Sequence, residues 1–146
     1  MTASLRDPEW IQEQSIGSAE RIGHSGLRED RLFLLRGGDR ELIEGYFLHG
    51  RRLRNLARQH ELAISTLHRR LQRLLVNLRR DDYLVLWRLR RRQTELQREI
   101  AYQYFMQSRP KQAIARGLDC QVRQVEMIIA YLKELIVRER QSKSEV

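Results

Sequence analysis

Residues 55–75 read NLARQHELAISTLHRRLQRLL. Leu56 and Ala57 keep helical spacing with Leu53, and the pattern then breaks at His60 to Ala63. Beyond the break, Leu67, Leu71, Leu74, Leu75 and Leu78 recur at steps of four, three, one and three, which is one face of a long helix. The stretch therefore predicts a helix, a tight corner and a second helix. Ala57 supplies the small residue that lets two helices approach, Leu62 would tuck beneath the corner, and Leu67 and Leu71 anchor the buried side of the second helix.

With that side buried, Ile64, Ser65, His68, Arg69, Gln72 and Arg73 point outward. Arginine forks onto guanine, glutamine pairs with adenine, and serine or threonine meets base or phosphate. Ser65, Thr66, His68, Arg69, Gln72 and Arg73 are therefore the candidate DNA-reading residues. Arg51, Arg52 and Arg54, near the start of the first helix, are candidates to hold phosphates and set the register. The competing reading is a solvated basic face with no partner.

Working outward, LARQHELAISTLHRRLQRLLVNLR resembles the helix-turn-helix of bacterial sigma factor region 4 and related regulators. Leu56-Ala57, Ser65-Thr66-Leu67 and Arg70-Leu71 stand at the places of that module's Ile-Ala, Ser-Thr-Val and Arg-Leu pairs. The upstream RELIEGYFLHGRRL is similar to its preceding helix and linker, and the match covers about 40 residues. Two positions depart from the family: Glu61 stands where it usually has glycine, and Ala63 where a serine usually caps the recognition helix. The resemblance implies promoter recognition and adds RNA polymerase as a candidate partner.

A shift of 58 residues maps the chain onto itself without a gap. Arg40-Glu41-Leu42 then falls on Arg98-Glu99-Ile100, Tyr46-Phe47-Leu48 on Tyr104-Phe105-Met106, and Leu56-Ala57-Arg58 on Ile114-Ala115-Arg116. The expected fold class is all-α: tandem helix-turn-helix units joined by a short helical connector. The expected organisation is an N-terminal segment 1–38, a first unit 39–80, a connector 81–94, a second, degenerate unit 95–140 and a frayed tail 141–146.

Local signals refine this frame. Gly37-Gly38 ends one segment, Asp39 caps a helix from Arg40 to His49, and Gly50 closes it. Pro8 and Pro110 suit first helical turns after Asp7 and Ser108. Short helices are expected after Asp7 and around 28–36, split by GHSG at 23–26. Asp81 or Asp82 starts a connector helix carrying Tyr83, Leu86, Trp87 and Leu89, and Thr94 with Gln97 forms a capping box; a strand at 83–87 is the alternative. The second corner falls at Arg116 to Cys120, followed by a helix from Gln121 to Leu135 buried through Val125, Ile129, Leu132 and Ile136. Met127, Ile128 and Tyr131 add apolar surface there, a candidate self-association face. Tyr46, Phe47, Tyr104 and Phe105 read as core.

Net charge is +9, and only three of 28 basic residues are lysine, a bias that suits phosphate and guanine contact. No apolar run approaches the roughly 18 residues of a membrane span, and the first residues carry no secretory pattern. One cysteine, Cys120, excludes an internal disulfide and a multi-cysteine zinc site; it reads as a buried thiol. The four histidines are scattered, so no metal site and no cofactor are expected. No phosphate loop, acid pair or nucleophile–base constellation argues for an enzyme. The expected function is sequence-specific binding of double-stranded DNA by a transcriptional regulator, cytoplasmic and nucleoid-associated, with a recognition helix at about 64–78. The alternatives are a helical adaptor that binds protein or RNA polymerase, or a phage or transposon DNA-end binder. A homodimer is a further candidate state.

Overall fold

The computed structural model describes residues 26–144. The helix expected after Asp7, with Pro8 and Trp10, lies outside them. Among the described residues every element is helical and no strand occurs, so the all-α expectation holds and the strand alternative at 83–87 fails. The chain forms two compact units that divide between Leu75 and Val76.

The first unit opens with a 3-10 turn at Glu29–Leu34, in place of the helix expected at 28–36. Helix α1, Gly37–Ile43, continues as a π-helical turn at Glu44–Leu48, in which the His49 amide donates to Glu44 O at 2.9 Å. Gly37-Gly38 therefore begins a helix and does not end one. Asp39 stands inside the first turn, not at the cap. Gly50, at φ +64°, closes the segment as expected, because only a residue free of a Cβ clash adopts that conformation without strain. Helix α2 spans Leu53–Gln59 and α3 spans Ile64–Arg79, its last turn counting to the second unit. Leu53, Leu56, Ala57, Leu67, Leu71, Leu74 and Leu75 are all buried, as the periodicity predicts.

The corner between α2 and α3 covers residues 60–63. Glu61 adopts the left-handed region at φ +55°, and the Leu62 amide donates to Ala57 O at 2.8 Å, satisfying a carbonyl at the helix end. Glutamate bears here the Cβ penalty that glycine avoids. Glu61→Gly is expected to raise stability by roughly 0.5–1 kcal/mol, the left-handed penalty less the extra chain entropy of glycine. Urea denaturation of the two proteins measures it.

The second unit holds α4 (Asp82–Arg88), a 3-10 turn at Arg90–Arg92, α5 (Glu95–Ala101) with a π-helical turn at Tyr102–Met106, α6 (Lys111–Leu118) and α7 (Val122–Ser144). Helix α7 packs against α4, α5 and α6. The capping box is present in full: the Gln97 amide donates to Thr94 Oγ1 at 3.1 Å, and the Thr94 amide donates to Gln97 Oε1 at 2.9 Å. Three local expectations need correction. Pro110 occupies the position before α6 while Ser108 takes φ +57° as a turn residue. The second corner is tighter, because α6 runs through Leu118 and only 119–121 remain. Residues 141–144, expected to fray, continue α7, since nothing in QSKS forbids a helix already about five turns long.

The 58-residue shift reappears in the backbone. It carries α1 onto α5, the π turn at 44–48 onto that at 102–106, and the start of α2 and α3 onto the starts of α6 and α7. The left-handed residues follow suit, Gly50 onto Ser108 and Glu61 onto Asp119. Even the hydrogen bond closing each π segment matches, Arg51 N to Gly45 O and Arg109 N to Gln103 O, both 2.9 Å.

Candidate nucleic-acid interface

Helix α3 presents two faces because its leucines repeat with the helical period. Opposite the buried row, Ser65, Thr66, Arg69, Gln72 and Arg73 are exposed. No acidic residue occurs anywhere on the helix, so nothing on α3 itself neutralises Arg69 or Arg73. Arg51, Arg52 and Arg54 are likewise exposed; Arg51 donates through Nη1 to Gln59 Oε1 at 3.1 Å. Arg52 and Arg54 sit at the N-terminal end of α2, whose first turn holds no acid. Cations there oppose the helix dipole. They do not stabilise the helix through its dipole. Arg58, also exposed on α2, extends the same basic surface and was not singled out from the sequence.

His68 departs from the expected set. It is half-buried beside Tyr46, Phe47, Leu71, Gln72 and Leu75, and its Nε2 meets no hydrogen-bond partner. Burial pushes its pKa below the usual 6.5, because the charged ring would lose hydration there. His68 thus stands at the flank of the helix, less exposed than its outward position in the sequence pattern suggests. Ile64, also expected outside, is half-buried.

Arg70 is the residue that sequence reasoning left without a role. Its Nε and Nη2 both donate to Oδ1 of Asp39, at 3.0 and 2.7 Å, and Asp39 is only 3% exposed. This two-pronged bond ties α3 to the first turn of α1 and sets the rotation of α3 about its axis. Arg70 lies on the flank between the buried leucines and the exposed Arg69 and Arg73, so this bond anchors the helix that presents them. The signal was present as an arginine next to the buried row, but its acid lies 31 residues away.

The second unit carries different chemistry on the matching face. Arg69 and Arg73 map onto Met127 and Tyr131, which are 65% and 41% exposed, while Ile128 is half-buried. Asp39 and Arg70 map onto Gln97 and Ile128, so the ion pair has no counterpart there. The connector adds an exposed basic cluster, Arg88, Arg90, Arg91 and Arg92; Arg90 stacks 3.6 Å from the Trp87 ring centroid. Cys120 is half-buried, less enclosed than the sequence suggests.

Among the described residues no cluster of His, Cys, Asp and Glu could hold a metal ion, and no helix is long and apolar enough to cross a membrane. No protein-family model matches the chain, and neither a curated protein nor a solved structure matches it significantly.

Proposed function

We propose that the protein binds double-stranded DNA sequence-selectively, with α3 as the recognition helix in a major groove, and that it regulates transcription. The observation carrying this reading is the acid-free outward row Ser65, Arg69, Gln72 and Arg73 on a helix anchored by buried leucines and by the Arg70–Asp39 bond. Arg69 and Gln72 read base edges, and Arg51, Arg52 and Arg54 contact phosphates on the flank. The resemblance to sigma factor region 4 makes RNA polymerase a second candidate partner.

Selection from a random duplex pool, run with wild type and Arg69→Ala, tests the reading. An enriched motif that relaxes at one base in the variant supports it, and enrichment of nothing by either protein refutes it. With five or six phosphates contacted, log affinity should fall against log salt with a slope of about −5.

A second reading draws on Met127 and Tyr131. An exposed apolar pair on the matching face of α7 suits protein contact, including a second copy of the chain. A complex held by that face would show little dependence on salt, which separates it from DNA binding.

A further inference from the structure

The two units carry the same aromatic pair in two different surroundings. Tyr46 and Phe47 meet edge to face at 4.9 Å, and Tyr104 and Phe105 do so at 5.0 Å. In the first unit both rings are buried, and the gap beside them, against His68, Leu71 and Leu75, is only about 10 Å³. In the second unit both rings are half-exposed and line a cavity of about 430 Å³. The core role expected for all four rings thus holds for the first pair alone. A pair serving only to pack would be covered twice, since leaving aromatic surface in water forfeits its burial energy.

The residues around the open pair are not those of a core. Arg80, Arg109 and Lys133 line the cavity, and Lys133 stands at the place of the buried Leu75. Its Nζ lies 5.7 Å over the Tyr104 ring. Arg109 is held in place: its Nη1 donates to Gln103 Oε1 at 2.7 Å, and Gln103 Nε2 donates to Glu99 Oε2 at 2.9 Å. The lining carboxylate, Asp82, is already bonded to Arg140 at 2.6 Å. Arg80 also pairs with Asp82, at 3.6 Å, so the cavity's positive charge rests on Lys133 and Arg109. Asn77 donates both amide hydrogens, to Met106 O at 2.7 Å and Ser108 Oγ at 2.8 Å, which fixes the cavity wall and leaves its Oδ1 to accept from a ligand.

We propose that this cavity, built wholly from residues of the second unit, binds a small planar anion of the nucleoside monophosphate class. Its volume falls in the roughly 300–1,000 Å³ range of small-molecule sites. Lys133 and Arg109 take the phosphate by charge-assisted hydrogen bonds. Tyr104 and Phe105 take the planar ring, with Lys133 swinging from the tyrosine face to the phosphate. The proposal does not rest on the DNA reading.

Calorimetric titration of the full chain with AMP, adenosine and inorganic phosphate tests it. AMP is expected to bind one-to-one, with adenosine and phosphate each at least about tenfold weaker, since either lacks one half of the recognition. Lys133→Leu, which installs the first unit's residue, and Arg109→Ala are each expected to weaken AMP by about tenfold or more, the loss of one charged contact. Lys133 is exposed, so its variant keeps the fold, and circular dichroism verifies this. No heat with AMP at millimolar concentration would overturn the proposal. So would equal binding of AMP and phosphate, AMP binding indifferent to both variants, or binding of an oligothymidine single strand where AMP fails.

Discussion

Arg69→Met combined with Arg73→Tyr, which copies the residues at the matching places of α7, is expected to abolish sequence-selective DNA binding while leaving the protein folded. Both arginines are exposed, and neither contributes to the leucine core. Each good base contact is worth about 1–3 kcal/mol of discrimination, and two lost phosphate-range charges weaken all sites further. Affinity for a selected duplex should therefore fall by about two to three orders of magnitude, by fluorescence anisotropy at fixed salt, with the melting temperature unchanged. Retained affinity in the double variant would remove α3 from the groove and transfer the reading to another surface, of which the Arg88–Arg92 cluster is the first candidate.

Arg70→Ile is expected to cost about 2–3 kcal/mol of stability, because it deprives a buried carboxylate of two charge-assisted hydrogen bonds. The figure lies below that for a fully enclosed pair, since the Arg70 side chain is 38% exposed and water shares in the solvation. Adding Asp39→Gln should recover the loss to within about 1 kcal/mol, as replacing both members of a buried pair is often close to neutral. The second unit holds that combination at Gln97 and Ile128. Urea midpoints of the single and double variants decide the matter, and a double variant no better than Arg70→Ile would mean that Asp39 serves other partners first.

Much of the fold was legible because it depends on periodic signals. The leucine row of α3, the capping box at Thr94 and the 58-residue repeat are all local or additive patterns, and the structure keeps them. What escaped notice involves distance along the chain or a choice between two local solutions. Asp39 looks like a cap by its neighbours, yet the helix begins at Gly37 and the Asp39 carboxylate meets Arg70 across 31 residues. His68 falls near the edge of the helical face, and only the position of Tyr46 and Phe47 decides that it is half-buried. Tyr104 and Phe105 read as core because their type matches the first pair, while their cover differs by a single row on the next helix. The candidate DNA face was legible to the extent that it mirrors the leucines, and Arg70's positioning role was not.

The equal spacing of the two π turns, the two left-handed closures and the two left-handed corners has a consequence for how such a chain can change. Each of these points resets the helical phase, and one inserted residue between any two would turn the following face by about 100°. Residue number between them therefore works as a ruler, and the side chains facing outward are free of it. Arg69 gives way to Met127 and Arg73 to Tyr131 at the same marks without disturbing the apolar row underneath. Chemistry in this molecule is written in substitutions, and its geometry is kept by counting.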